Sequence, residues 1–247
     1  MSLPKGRGDM KKIEDLRIKI FCDGASSADF KELGKLPYIK GFTTNPSLMK
    51  KAGVTDYERF LKEIMPLTGG KPVSFEVIGD DFASMKDQAL RLRTYGENVY
   101  VKIPITNTSS EPSQPLIAEL LRAGVRLNIT AITDLAQVED LAGALVGVTP
   151  CIVSIFAGRI ADTGIDPVPV MKKAKKALRR SPHVELLWAS TRELLNIFQA
   201  EEAECDIITV LPDILKKLHL VGYDLKRCSL DTVKMFYNDG VSSGLKL

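Results

Sequence analysis

The sequence predicts a (β/α)8 TIM barrel as a single domain with a C-terminal helix, and three observations carry that prediction. Eight short apolar runs rich in β-branched residues alternate with helical stretches across a chain of 247 residues, close to the ~250 residues typical of the fold. No Gly-x-Gly-x-x-Gly or P-loop signature interrupts the alternation, which argues against a dinucleotide fold. Polar residues gather at the C-terminal ends of the runs, the end at which a barrel opens. Periodicity by itself does not show closure, so a doubly wound open sheet is the alternative architecture.

Taken in order, residues 1–16 read as a polar, flexible lead and 17–247 as the barrel domain. Residues 17–23 form a strand ending on Asp23, small residues at 24–27 make a turn, and a helix follows over 28–34. Residues 39–47 are a strand passing into a polar turn at Asn45-Pro46, then come a helix at 57–65, a strand at 73–77 and a helix at 82–95. The run 98–106 is centred on Lys102. Val99, Tyr100, Val101, Ile103 and Ile105 favour a strand, and strand alternation puts Lys102 on one face with Tyr100 and Pro104. The second half repeats the pattern, with strands at 125–130, 151–156, 184–190 and 206–211. Its helices fall at 116–123, 134–145, 168–180, 192–200, 213–218 and, last, 231–237.

Composition narrows the function classes. A net charge of +3, from 34 basic and 31 acidic residues, is too small to argue for nucleic acid or a membrane surface. The one basic run, Lys172 to Arg180, reads as a solvated helix face. Cys22, Cys151, Cys205 and Cys228 are widely spaced with no C-x-x-C pair, so reduced thiols in the cytoplasm are expected rather than a zinc ribbon or a disulfide framework. Two histidines, His183 and His219, give little material for a His-based metal site or a Ser-His-Asp triad. No apolar run approaches the ~20 residues of a membrane span, and no metal or cofactor is called for.

Asp23, Asn45, Glu76, Lys102, Asn128 with Thr130, Ser154 and Ser190 all lie in or just after the C-terminal half of a predicted strand. Each has an ordinary explanation alone: Ser190 as a helix cap, Asp23 as a turn residue, Asn45-Pro46 as a turn start. Seven of the eight strands ending this way point to one mouth. A strand lysine usually reaches solvent, because an unpaired buried ammonium is costly. Pointing inward among carboxylates and hydroxyls, Lys102 instead has partners to tune it. Desolvation favours the neutral amine, the form that attacks a carbonyl to give a Schiff base.

These residues resemble the transaldolase family of Schiff-base aldol enzymes. Gly41-Phe-Thr-Thr-Asn-Pro-Ser47 is similar to the family's second-strand signature, and Val101-Lys-Ile-Pro-Ile-Thr106 to its lysine strand. Ser154-Ile-Phe-Ala-Gly-Arg-Ile160 and Ala189-Ser-Thr-Arg192 resemble its phosphate-binding elements, and the match runs from about Lys19 to Asn238. The resemblance implies a (β/α)8 barrel in which Lys102 condenses with a ketose carbonyl and Asp23 takes and returns the C4-hydroxyl proton. It implies that Glu76 and Thr130 position the water of carbinolamine formation, and that Asn45, Asn128 and Ser154 bind substrate hydroxyls or the intermediate. Arg159, Ser190 and Arg192 would hold a terminal phosphate. Sugar phosphates and further copies of the chain are the implied partners, with the last helix as an interface element.

Three departures surround the mouth. Asp23 is followed by Gly24 where the family usually has Thr or Ser; residues 107–115 are Pro-rich and lack a tryptophan-containing helix; and Thr130 is followed by Ala-Ile-Thr-Asp-Leu instead of a Phe-Ser turn. The implied activity is transfer of a dihydroxyacetone unit between sugar phosphates. A lyase of the fructose-6-phosphate aldolase type that releases dihydroxyacetone, or a non-catalytic binding barrel, are the alternatives. In the family, aldolase-type members carry glutamine and tyrosine where this chain has Glu76 and Phe156, as transaldolases do.

Overall fold

A computed structural model describes residues 13–141, 143–145, 147–244 and 246. Of the expected lead, residues 1–12 lie outside the described residues. Ile13–Asp15 form one 3-10 turn, and Ile13 and Leu16 pack against the core.

Eight strands close into a barrel: β1 (Lys19–Asp23), β2 (Ile39–Thr43), β3 (Val73–Glu76), β4 (Val99–Pro104), β5 (Leu127–Ile132), β6 (Cys151–Ile155), β7 (Val184–Trp188) and β8 (Ile207–Val210). Every neighbouring pair is parallel, and β1 pairs β8 to close the ring. The helices are α1 (Ser27–Leu33), α2 (Pro46–Lys51), α3 (Tyr57–Ile64), α4 (Phe82–Leu92), α5 (Gln114–Arg122), α6 (Leu135–Leu141), α7 (Ala157–Asp162), α8 (Pro167–Ala177), α9 (Leu195–Glu202), α10 (Pro212–Leu215) and α11 (Leu225–Ser242). The open-sheet alternative is thereby excluded. Among the described residues no helix is long and apolar enough to cross a membrane.

Two apolar clusters are separated by the barrel wall. The larger lies between strands and helices, where Phe30 of α1 stacks on Phe42 of β2 with ring centroids 4.4 Å apart. The smaller, formed by Phe21, Tyr100, Ile152, Leu187, Ala189 and Ile207, fills the lower interior. Gly41 is required there, since a Cβ at this position would lie 2.6 Å from the Phe21 ring. Strand side chains alternate with a period of two. Directly above this apolar floor the same strands therefore present Asp23, Lys102, Ser154 and Thr209, each two residues beyond a floor residue. The pairing register sets Glu76, Lys102 and Asn128 side by side on β3, β4 and β5.

Some elements differ from the sequence expectation. The turn at Asn45-Pro46 continues as α2, because the Asn45 side chain accepts from Leu48 N at 3.0 Å and Pro46 is pre-set for a first helical position. Helix α7 starts directly after Phe156 with no side-chain cap, which left it without a sequence signal. Strand β5 does not end at Thr130. Its pairing steps from Ile129↔Val153 to Ile132↔Ile155 through a bulge in which Ala131 takes φ 63°. Helix α9 begins at Leu195 and not 192, since the Asn196 side chain accepts from Arg192 N and Glu193 N and holds that stretch as a turn. Helix α6 stops at Leu141, short of the expected 145. Helix α11 runs well beyond 231–237 because Asp224 caps it, accepting from Arg227 N at 3.0 Å.

Candidate active site

The strand ends open onto a cavity of 580 Å³ at the C-terminal mouth, and all ten residues singled out in the sequence line it: Asp23, Asn45, Glu76, Lys102, Asn128, Thr130, Ser154, Arg159, Ser190 and Arg192. Lys102 is the buried cation of the group, 5% exposed. Its Nζ lies 2.9 Å from Glu76 Oε2 and donates to Thr44 O at 2.8 Å. A buried ammonium is tolerated when it is both ion-paired and hydrogen-bonded, and the β3–β4 register supplies the carboxylate. Tyr57 of α3 donates to the Glu76 carbonyl at 2.8 Å and fixes the end of β3. Burial pushes the Tyr57 hydroxyl well above its usual range, with the Glu76 charge adding to the rise.

Asp23 ends β1 and accepts from Thr43 Oγ1 at 2.8 Å. Burial pushes its carboxyl above the usual carboxylate range; the Lys102 charge and the Thr43 hydrogen bond oppose that, while Glu76 adds to it. Across the mouth, Ser154 Oγ donates to Asn128 Oδ1 at 2.6 Å and Asn128 Nδ2 donates to Ser74 Oγ at 3.0 Å. This chain fixes the Asn128 amide although it is fully buried. Thr130 is also buried, and its Oγ1 has no hydrogen-bond partner among the described residues. A buried hydroxyl left open over a polar cavity is suited to a water or a substrate oxygen.

The rim is cationic on the β6–β7 side. Arg159, on α7, stands over the Phe156 ring with its guanidinium carbon 5.6 Å from the centroid. Arg192 Nη2 is 2.5 Å from Asp162 Oδ2, a half-exposed pair that occupies part of its fork. Ser190, which also lines the cavity, takes φ 64°. Its carbonyl comes so close to Gly158 that a Cβ there would lie 1.6 Å away, so only glycine allows α7 and the 190–192 turn to meet. Asn45, expected to start a turn, caps α2 instead and still faces the cavity.

Sequence reasoning missed Thr43, Ser74 and Thr209. All three are buried, and Thr43 and Thr209 line the cavity. The period of two was the available signal: Ser74 precedes Glu76 by two, and Thr209 follows the floor residue Ile207 by two. Among the described residues no three His, Cys, Asp or Glu side chains gather as a metal group would. The arrangement offers an amine beside a carboxylate, a second carboxylate, hydroxyl and amide groups for a polyol, and two guanidiniums for a terminal anion.

Residues 20–240 match the family model described as Transaldolase/Fructose-6-phosphate aldolase. The chain is similar to a "Probable transaldolase" of Nitrosopumilus maritimus, 34% identical over 203 residues that cover 81% of this chain and 87% of that protein. It is likewise similar to a "Probable transaldolase 2" of Listeria monocytogenes, 35% identical over 202 residues covering 81% and 88%. Among solved structures, tryptophan synthase subunit alpha from Campylobacter jejuni superposes with a TM-score of 0.55 at 15% identity, covering 87% of this chain and 94% of that one. That likeness shows the barrel fold alone.

Proposed function

From the premise that the chain belongs to the transaldolase/fructose-6-phosphate aldolase family, we propose that it transfers a dihydroxyacetone unit between sugar phosphates through a Schiff base on Lys102. The observation that carries this reading is Lys102 itself, buried at the centre of the mouth and in contact with Glu76. Glu76 is the group in reach of the Nζ proton, and the freed amine attacks the ketose C2 carbonyl. The carbinolamine then loses water, which Glu76 and the open hydroxyl of Thr130 hold. Asp23 takes the C4-hydroxyl proton. The O–H electron pair becomes the carbonyl bond of the departing aldehyde, and the C3–C4 pair moves to the iminium to leave an enamine on Lys102. Addition of a second aldehyde reverses these movements.

The raised proton affinity of Asp23 suits a base that must also return the proton. Asn128 and Ser154 are fixed by their mutual hydrogen bond, and Asn45, whose side-chain oxygen caps α2, turns its amide N–H to a substrate hydroxyl. Arg159, Ser190 and Arg192 bind the terminal phosphate, for which guanidinium forks and a hydroxyl are suited. Transfer is favoured over release because Phe156, at the cavity wall, offers no hydroxyl to activate water against the enamine. A purely binding barrel gives no reason for a complete set of acid, base and amine groups at one mouth.

The reading extends to assembly and place. Helix α11 has no buried residue and exposes Leu225, Leu230, Val233, Met235, Phe236, Tyr237 and Val241, which supports a homo-oligomer built on that helix. Cysteines 22, 151, 205 and 228 are free thiols, in keeping with a reducing cytoplasm.

The test is borohydride trapping with fructose 6-phosphate followed by peptide mass spectrometry. The adduct is expected on the peptide containing Lys102, and Lys102→Met should abolish both adduct and turnover. An adduct on another lysine, or activity retained in Lys102→Met, overturns the proposal.

A further inference from the structure

Strand β1 lies between β2 and β8, and two hydroxyls from those neighbours meet in front of it. Thr43 of β2 stands opposite Asp23, and Thr209 of β8 stands opposite Phe21. Their Oγ1 atoms are hydrogen-bonded to each other, so the pair bridges β2 to β8 between the apolar floor and Asp23. Both threonines are buried, at 3% and 4% exposure. Thr191, in the turn after β7, donates to the Thr209 carbonyl at 2.6 Å and ties β8 at the same level.

Proton counting gives this bridge a direction. A threonine hydroxyl has one proton, and an ionised carboxylate only accepts. Thr43 spends its proton on Asp23 Oδ1 at 2.8 Å. In the Thr43–Thr209 contact Thr43 must then accept, so Thr209 donates. The order is Thr209 to Thr43 to Asp23, and polarisation along such a chain strengthens its last bond. A proton arriving on the side of Oδ1 that Thr43 occupies would oblige the Thr43 hydroxyl to turn away and would break this order. Oδ2 carries no such obligation.

We propose that Thr209, acting through Thr43, is a positioning residue that keeps Oδ1 of Asp23 occupied and leaves Oδ2 as the oxygen that exchanges the substrate proton. The inference rests on the reading of Asp23 as the base. The charged groups facing Asp23 are Lys102 from β4 and Glu76 from β3, and neither is touched by a change at Thr209. Losing the hydroxyl of Thr209 weakens a hydrogen bond made to the ionised form. That raises the carboxyl further, so activity that needs the ionised base is lost at a higher pH than before.

The experiment compares wild type, Thr209→Val, Thr209→Ser and Asp23→Asn for pre-steady-state cleavage of fructose 6-phosphate across pH. Thr209→Val is expected to lower the cleavage rate about three- to tenfold, the range of one net hydrogen bond. It should move the acidic limb of the profile up by about half a unit. KM and the borohydride-trapped Lys102 adduct should stay at wild-type values, and Thr209→Ser should restore rate and limb together. A wild-type limb in Thr209→Val, or a rate loss that Thr209→Ser does not rescue, overturns the positioning role. Cleavage retained in Asp23→Asn overturns instead the assignment of the base, so the two failures are told apart.

Discussion

Gly158→Ala is the sharpest perturbation the mouth offers. The added Cβ would lie 1.6 Å from the Ser190 carbonyl oxygen, 2.7 Å from its carbon and 3.3 Å from Arg192 Cγ. Two of these three neighbours are backbone and cannot swing aside. Reaching even the 3.0 Å below which real Cβ contacts are essentially never seen requires the two segments to part by about 1.4 Å. Overpacking of this kind costs about 1–3 kcal/mol, which for a chain of this size corresponds to a Tm lower by about 2–12 °C. The functional loss should be larger and selective. The displaced segment carries Ser190 and Arg192 away from Arg159, and a misplacement of ~1 Å can cost on the order of a hundredfold in rate. Lys102, Glu76 and Asp23 belong to β4, β3 and β1, on other parts of the ring, and should stay in place. The assay is kcat/KM for fructose 6-phosphate against that for unphosphorylated fructose, with scanning fluorimetry for Tm. Wild-type Tm and kcat/KM would refute the close approach. Equal losses on both substrates would show that the 190–192 turn does not serve the phosphate.

Other outcomes follow from the same geometry. Arg192→Ala should weaken use of phosphorylated substrates roughly tenfold or more, the value of a charge-assisted hydrogen bond, while leaving unphosphorylated ones nearly unchanged; steady-state kinetics on both classes decides it. Phe156→Tyr should raise release of free dihydroxyacetone in the absence of an acceptor aldehyde, measured by a coupled reduction assay, and no increase would remove the argument for transfer from this position. Replacing Phe236 and Tyr237 together by Asp should shift the solution mass in light scattering down towards the 27.2 kDa of one chain, whereas an unchanged mass would rule out α11 as the contact.

Most of the architecture was legible because its signals are local. Alternating runs with β-branched residues announced eight strands, and the period of two places Lys102 on the face of Tyr100 whatever the fold. The polar strand ends Asp23, Glu76, Asn128 and Ser154 could be read as one mouth, since parallel strands of a barrel all end on the same side. What local pattern does not encode is pairing between strands distant in sequence. That Glu76 reaches Lys102, that Ser74 and Ser154 hold Asn128 from both sides, and that Thr209 meets Thr43 across β1 all depend on register and ring closure. The bulge at Ala131 and the left-handed turn at Ser190 are likewise set by what packs around them, because neither residue favours that backbone by itself. The sequence alone determined eight strands alternating with helices, the polar residues at the strand ends and the residue types gathered there, since each follows from the order of side chains along a strand. The tertiary structure decided that the sheet closes, which carboxylate pairs the lysine and which oxygen of Asp23 is occupied, since those depend on pairings and distances between strands far apart in sequence.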